Sequence, residues 1–264
     1  MRIIFFTQED PFYVKIFFDE FFSIYNRLDE IKAIVISRAM GKKSLIDLAK
    51  QMYGFYGPFS FFKMGFRYAF VKSMGRRNIR KDTFDTIPKT YSIKQTAKAY
   101  GINVIERSDL NSKGFISTIS AYDPDLFISV ASPIIFKKDL ITVPRIDCIN
   151  IHNAPLPKYR GMMPNFWQLY HGEKSVGITV HRIEVGIDTG DMIVQCFLPI
   201  DPDESLNSLI RRTKRENAKL IMQIIDHFRN GKIKYKSLEG EGSYFTFPTK
   251  EDVKEFKRRG KKIF

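Results

Sequence analysis

The stretch Asp147-Cys-Ile-Asn-Ile-His152 indicates a short buried strand whose apolar character is interrupted by two polar side chains, Asn150 and His152. Successive residues of a strand point to opposite faces, so this spacing places both polar side chains on one face. In open α/β sheets, ligands bind outside the carboxyl ends of the strands. The stretch therefore predicts a central strand and a functional cleft at its end.

Around that stretch, apolar runs typical of buried strands alternate with longer runs typical of helices. The predicted strands span residues 2–6, 31–36, 103–105, 126–130 and 147–152, and two β-rich runs follow at 175–183 and 192–199. The predicted helices span residues 14–25, 93–100, 115–122, 206–228 and 250–259. This alternation predicts an α/β fold with a Rossmann-like, doubly wound and mostly parallel sheet.

The length of 264 residues suits one large domain with a modest C-terminal addition. We expect a catalytic domain over residues 1–200 that contains a helical insertion at about 41–90. Residues 201–264 are expected to form a C-terminal helix and a short extension packed on the core.

The centre of the insertion, residues 52–70, is dense in aromatic side chains, and Arg76, Arg77, Arg80 and Lys81 follow it. A basic amphipathic segment of this kind can lie on a membrane surface or grip an anionic ligand. The alternatives are a helical flap over the core and a contact between the two subunits of a homodimer.

The formal net charge of +14 favours anionic partners such as nucleic acid, phosphorylated or polyglutamylated small molecules, or an acidic membrane surface. A solvated basic surface is the alternative. Cys148 and Cys196 sit in apolar runs without metal-ligand spacing, which predicts a reduced, cytoplasmic protein without a metal site. The first residues do not resemble a signal peptide, and no run of about 20 apolar residues predicts a transmembrane helix.

A third polar group, Asp188, lies in the Gly186-Ile-Asp-Thr-Gly190 loop between the two β-rich runs. An amide, an imidazole and a carboxylate in one pocket are equipment for acyl transfer to an amine. Asn150 can donate to an oxyanion, His152 can move a proton, and Asp188 can orient the imidazole. The two glycines can supply backbone conformations that other residues resist.

The motifs around these three residues extend the argument by resemblance. The run Ile149-Asn-Ile-His-Asn-Ala-Pro-Leu-Pro-Lys-Tyr-Arg-Gly161, the run Gly177-Ile-Thr-Val-His181 and the run Gly186-Ile-Asp-Thr-Gly-Asp-Met-Ile193 resemble the catalytic core of formyltransferases that use 10-formyltetrahydrofolate. That family includes methionyl-tRNA formyltransferase, glycinamide ribonucleotide transformylase and the sugar N-formyltransferases. The resemblance is strong over residues 126–194.

The resemblance implies that Asn150, His152 and Asp188 form a catalytic trio. In the implied mechanism, an amine attacks the formyl carbon, Asn150 and protonated His152 stabilise the oxyanion, and Asp188 orients the imidazole. The formyl donor, 10-formyltetrahydrofolate, would lie along two segments that contain Ser129, Ala131, Ser132, Pro133, Ile135, Ile183, Val185, Gly186 and Ile187. The acceptor would border a loop that contains Lys158, Tyr159, Arg160 and Gly161.

The acceptor is less well defined than the donor. The segment Thr7-Gln-Glu-Asp-Pro11 lacks the glycines of a phosphate-binding turn and carries two carboxylates, which disfavours glycinamide ribonucleotide. The positive charge suits tRNA, but the roughly 60 residues after Ile200 are too few for a C-terminal barrel domain.

These features favour an anionic, amine-bearing nucleotide sugar as acceptor, and hence a role in polysaccharide biosynthesis. Basic residues and stacking rings can recognise its diphosphate and its base. A non-catalytic folate-binding protein and a hydrolase that releases formate are the remaining alternatives. Asn153 and Ala154 depart from many relatives and leave the acceptor open.

Overall fold

The structure is a computed structural model that describes residues 1–38, 45–76 and 89–264. Within those residues the strands are β1 (Ile3–Gln8), β2 (Ile31–Ser37), β3 (Val104–Glu106), β4 (Leu126–Val130), β5 (Asp147–His152), β6 (Arg160–Gly161), β7 (Ser175–Arg182), β8 (Met192–Pro199) and β9 (Tyr244–Phe245). The basic positions Arg77, Arg80 and Lys81 of the insertion lie outside the described residues.

Seven of these strands form one sheet in the order β3-β2-β1-β4-β5-β7-β8, and β6 pairs separately with β9. The pairs from β3 to β5 are parallel, whereas β7 and β8 add an antiparallel edge. The chain winds from β1 towards β3 and then resumes on the other side of β1 with β4. The predicted doubly wound, mostly parallel sheet is therefore confirmed, and its carboxyl edge is the expected binding edge.

The helices of the described residues are α1 (Val14–Ile24), α2 (Leu45–Tyr56), α3 (Pro58–Arg76), α4 (Ile93–Ala99), α5 (Lys113–Ser120), α6 (Lys138–Ile141), α7 (Pro164–Tyr170), α8 (Leu206–Arg229) and α9 (Lys250–Arg258). Four of them begin at a hydroxyl side chain that accepts a backbone N–H three residues on, namely Ser92, Ser112, Ser205 and Thr249. Each such cap stabilises its helix by about 1 kcal/mol. None of these helices combines the length and apolarity needed to cross a bilayer.

Alternate residues of β1 show how the sheet is covered on both faces. Phe5 packs against rings of α1, with Phe21 5.1 Å away between ring centres. Phe6 points to the other face, where the rings of Phe127 and Phe136 lie 4.8 and 4.9 Å away. Helices α1, α4 and α8 contribute to the first layer, and α5 contributes to the second. The sequence alternation thus becomes a three-layer core.

A second aromatic core joins the C-terminal segment to the insertion. Phe166 on α7 stacks on Phe256 of α9 with 4.6 Å between ring centres, and Phe55 on α2 packs against Phe166 at 5.9 Å. The indole N–H of Trp167 donates to the backbone oxygen of Thr246 at 3.0 Å. Helix α7 and the β6–β9 pair were not predicted from the sequence, and both belong to this core.

Helix α3 runs from α2 to the start of α4, where the side-chain amide of Gln95 donates to the backbone oxygen of Met74 at 2.8 Å. No residue of α3 is buried, although the helix is 19 residues long. Helix α2, in contrast, buries Phe55 in the aromatic core. The described part of the insertion is therefore a helical pair that is anchored through α2.

Candidate active site

The three predicted catalytic residues meet at one point. Asn150 and His152 lie on the same face of β5, and the loop after β7 brings Asp188 to them. The Nδ1 atom of His152 is 3.6 Å from Oδ2 of Asp188, and Nδ2 of Asn150 is 3.5 Å from Oδ1 of the same carboxylate. Asp188 therefore contacts both residues.

Backbone geometry holds Asp188 in place. The residue has a φ of 53° and Gly186 before it has a φ of 149°, two conformations that tighten the loop. A Cβ at Gly186 would lie 2.5 Å from Oγ1 of Thr189, so this position excludes a side chain. The amide of Gly161 donates to Oδ2 of Asp188 at 3.1 Å. The loop that contains Gly161 thus also holds the carboxylate of Asp188 in place.

The hydrogen bonds of His152 define its protonation. Its Nε2 is 2.9 Å from the backbone oxygen of Tyr159. Because a carbonyl only accepts, Nε2 carries a proton, and Nδ1 is the nitrogen that titrates. Burial lowers the pKa of His152 below 6.5, and the charge of Asp188 only partly opposes this. Because His152 is only 8% exposed, burial favours the neutral imidazole before a proton is taken up.

Asp188 is ionised beside that neutral ring. Burial raises its pKa, but the charge that His152 carries when it is protonated, the His181 side chain and the Gly161 amide outweigh burial and lower the pKa. A proton that arrives at Nδ1 of His152 would create an imidazolium next to this carboxylate. The pair can thus accept a proton and stabilise the resulting charge.

His181 is a fourth member of the cluster to which the sequence analysis gave no role. It lies opposite Asn150 in the β5–β7 pairing, and its Nδ1 is 2.7 Å from the backbone oxygen of Arg182. Its Nε2 is 3.2 Å from Nδ2 of Asn150 and 3.5 Å from Oδ1 of Asp188. The only sign of His181 in the sequence was its place at the end of the Gly177–His181 run. Its contact with Asn150 follows from the strand register, which the sequence does not show.

The predicted acceptor residues divide by exposure. Lys158 is exposed, whereas the ring of Tyr159 is buried and its hydroxyl donates to Glu173 at 2.7 Å. Tyr159 therefore contributes its backbone oxygen to the site rather than its side chain. The Nε atom of Arg160 is buried without a hydrogen-bond partner in the described residues. A Cβ at Gly161 would lie 2.3 Å from the backbone oxygen of Phe245, which makes this glycine necessary.

The predicted folate segments have one polar and several apolar features. Ser129 pairs in register with Asn150, which connects the first segment to the trio. The hydroxyl of Ser132 is buried and has no hydrogen-bond partner in the described residues. Ile135, Val185 and Ile187 are 60%, 77% and 39% exposed. Ala131 has a left-handed backbone conformation with a φ of 55°. An unpaired hydroxyl with exposed aliphatic groups fits an aromatic ligand with polar edges.

Pro133 and Ile183 complete those segments and are both half-buried. The amide of Ile183 donates to the backbone oxygen of Cys148 at 2.7 Å, which attaches the second segment to β5. Both segments are thus tied to the strands that carry or flank Asn150.

The turn after β1 carries Glu9 and Asp10, and both carboxylates bind backbone N–H groups. Glu9 accepts from the amide of Ile93 at 2.8 Å, and Asp10 accepts from the amide of Phe12 at 2.8 Å. These amides are thereby unavailable to a phosphate. The turn stabilises neighbouring helices, in agreement with its lack of glycine.

The chain is similar to proteins of known type in sequence and in fold. It is 32% identical over 154 residues to a methionyl-tRNA formyltransferase of Agathobacter rectalis, covering 58% of this chain and 50% of that protein. A methionyl-tRNA formyltransferase of Thermodesulfovibrio yellowstonii is 33% identical over 173 residues, covering 65% of this chain and 56% of that protein. The chain spans about half the length of the curated relatives it matches.

An N-formyltransferase from Helicobacter canadensis, solved with folinic acid and dTDP-3-aminofucose, superposes with a TM-score of 0.56 at 18% identity. The match covers 93% of this chain and 71% of that one. This likeness shows the fold. The Formyl transferase family model matches residues 71–225, which is more than half of the chain. The matched range contains Asn150, His152 and Asp188. The chain therefore belongs to the formyl transferase family.

Proposed function

We propose that the protein transfers a formyl group from 10-formyltetrahydrofolate to the amine of a nucleotide-linked amino sugar. The observation that carries this proposal is the contact between neutral His152 and ionised Asp188, beside the amide of Asn150. Family membership supports the reaction class. Ser132, Ile135, Val185 and Ile187 are the residues that would hold the folate, which supplies a formyl carbonyl on a nitrogen leaving group.

The residues act in sequence on the proton and on the developing charge. Asn150 donates an N–H to the formyl oxygen as the amine adds to the formyl carbon. Nδ1 of His152 takes the proton that the attacking nitrogen loses, and Asp188 stabilises the imidazolium that results. The same proton can then pass to the departing nitrogen, so His152 returns to its neutral state.

Two observations support a nucleotide sugar as acceptor. The turn after β1 uses Glu9 and Asp10 to bind its own backbone amides, which disfavours a phosphorylated amine held as in a glycine-rich turn. The Helicobacter canadensis protein of similar fold was solved with a nucleotide-linked amino sugar. A basic chain of net charge +14 suits the diphosphate of such an acceptor.

Methionyl-tRNA is the second candidate acceptor. The curated relatives at 32–33% identity are methionyl-tRNA formyltransferases, and the net positive charge also suits a phosphate backbone. A non-catalytic folate-binding role is the third candidate, although Asn150, His152 and Asp188 are all present.

The test is incubation of the full chain with 10-formyltetrahydrofolate and a panel of UDP-, dTDP- and GDP-linked amino sugars, with methionyl-tRNA in parallel. Mass spectrometry would detect the gain of one formyl group on each acceptor. We expect product from at least one amino sugar. Product from methionyl-tRNA alone would overturn the proposed acceptor, and folate binding without any product would favour the non-catalytic role.

Three further expectations stay predictions: the domain boundary at residue 200, a cytoplasmic location and a homodimer.

A further inference from the structure

A cavity lined by described residues lies away from the trio, at the carboxyl ends of β1, β2 and β3. Its volume is about 1160 Å³. Gln8 and Ser37 line it from the ends of β1 and β2, and Tyr68 and Val71 line it from α3. A cavity of this size is at the upper end of the range for small-molecule sites. The insertion therefore encloses a second ligand-sized space on the binding edge of the sheet.

The walls of this cavity are strongly basic. Six cationic side chains and two carboxylates line it; the cations are Arg38, Lys72, Arg76, Lys94, Lys98 and Arg107. Arg38, Lys72, Arg76 and Lys98 form no ion pair with any other described residue. Four unpaired cations around one cavity indicate an anionic ligand.

Both carboxylates of the cavity are already engaged. Glu9 accepts backbone amides at the start of α4, where Ile93 donates at 2.8 Å. Glu106 is paired with Lys94. The charge of Glu106 is offset by Lys94, and the single charge of Glu9 is smaller than that of the four unpaired cations, so the described lining carries a net positive charge.

Two tyrosine rings also line the cavity, Tyr68 from α3 and Tyr91 from the segment before α4. The Tyr68 side chain is 45% exposed, and Tyr91 is half-buried against Phe70. Lys72 lies over the Tyr68 ring, with its Nζ atom 5.4 Å from the ring centre. A ring beside a cation suits a ligand that combines an aromatic base with phosphates. An inorganic anion alone would make no use of these rings.

The distance between the cavity and the trio can be estimated from the strand order. Three strand steps separate β5 from β2, which is about 14 Å at the usual spacing. A ligand that reaches from the cavity to His152 must be long.

We propose that this cavity binds a nucleoside diphosphate, the nucleotide half of the acceptor, whose amino sugar then extends along the carboxyl edge of the sheet to His152. The identification of this ligand as part of the acceptor rests on the proposed function. Arg38, Lys72, Arg76 and Lys98 bind the diphosphate, and Tyr68 or Tyr91 stacks on the base.

The test compares two double variants of the insertion that remove equal charge. The cavity variant is Lys72→Gln with Arg76→Gln, and the matched control is Lys50→Gln with Lys63→Gln, whose exposed side chains lie on α2 and α3 outside the cavity. Isothermal titration of UDP, dTDP and GDP into the full chain measures binding without any reaction. We expect about 10-fold weaker binding of the preferred nucleotide by the cavity variant, and less than about 2-fold change in the control.

Kinetics then connect binding to transfer. The cavity variant should raise the KM for the nucleotide-linked acceptor by about 10-fold while kcat and the KM for the folate stay within about 2-fold. Absence of binding of all three nucleotides to the wild-type chain overturns the inference. Equal binding by the cavity variant and the control also overturns it.

The inference and the proposed function can fail separately. If the cavity variant alone loses nucleotide binding while the wild-type chain formylates no nucleotide-linked amino sugar, the cavity is a nucleotide site and the proposed acceptor is wrong. If such a sugar is formylated and both variants keep the wild-type KM, the proposed function stands and the cavity is not the nucleotide site.

Discussion

The two halves of the carboxyl edge of the sheet are built in different ways. In the half that carries the trio, His152 and His181 are buried, and strand register or hydrogen bonds to the backbone position His152, His181 and Asp188. In the half covered by α3, the helix buries no residue, and four cations have no ionic partner among the described residues. Rigid polar side chains with hydrogen-bond partners suit catalysis, whereas exposed cationic side chains without an ionic partner suit recognition of an anionic ligand. In our proposal, the reaction and the choice of acceptor are thus separated in space.

The largest effect is expected from the loss of the imidazole. His152→Ala should lower the turnover number about 100- to 10,000-fold, because it removes the group that takes the amine proton. The matched control is His227→Ala, which removes an exposed histidine of α8. Steady-state formylation rates measure both. Near-normal turnover by His152→Ala would show that the cluster on β5 does not perform the chemistry.

The next effect concerns Asp188 and the dependence on pH. Asp188→Asn should lower turnover about 100-fold, because the imidazolium loses its counter-charge. Asp188 raises the pKa of His152, so its removal lowers that pKa further. Activity falls as the pH drops through the pKa of His152, and this acid limb should therefore move to lower pH in the variant. A limb that stays in place would show that another group titrates.

Gly161→Ala should reduce turnover about 10-fold and the free energy of unfolding by about 1–3 kcal/mol. The added Cβ would lie 2.3 Å from the backbone oxygen of Phe245 at a φ of +94°, which displaces the amide that binds Asp188. Gly114→Ala on α5 is the control, since a Cβ there meets nothing within 4 Å. Chemical denaturation and kinetics measure the two effects. Equal behaviour of both variants would contradict the constraint on Asp188.

A smaller effect links His152 to stability. Its pKa in the folded state lies below 6.5, so the unfolded chain binds a proton first as the pH falls. The free energy of unfolding should therefore decrease from pH 6.5 downward, by about 1.4 kcal/mol for each unit of pKa difference. His152→Gln should flatten this slope in denaturation curves measured between pH 7 and pH 5. An unchanged slope would show that His152 is not a buried neutral group.

The smallest effect is expected on α3. Phe66→Ser removes a ring that is 78% exposed, so the free energy of unfolding should change by less than about 0.5 kcal/mol. Phe166→Ala on α7 removes a fully buried ring and should cost about 3–5 kcal/mol. Chemical denaturation of both variants sharpens the contrast between the aromatic core and α3. A large loss in Phe66→Ser would show that the outer face of α3 is covered in solution.

The sequence was sufficient where local pattern determines structure. Apolar runs predicted the seven strands of the main sheet, and the spacing of Asn150 and His152 predicted their shared face. The sequence was insufficient where contacts between distant residues determine the structure. The opposition of Asn150 and His181 needs strand register, and the bond between Gly161 and Asp188 joins residues 27 positions apart.

Two further features could not be predicted from the sequence, and each failure has a physical reason. Aromatic residues are distributed around α3, so the pattern does not reveal which side of this helix faces the sheet. The neutral state of His152 depends on burial by the surrounding loops, which a motif does not show. The sequence therefore predicted that Asn150, His152 and Asp188 come together, whereas the effect of burial on His152 and the cavity under α3 needed the structure.

The most direct test of the separation between chemistry and recognition is one set of steady-state kinetics over acceptor concentration. It compares the wild-type chain, Asp188→Asn, and Lys72→Gln with Arg76→Gln. We predict that Asp188→Asn lowers kcat with little change in KM, and that the double variant raises KM with little change in kcat. A change in the same constant in both variants would contradict the account.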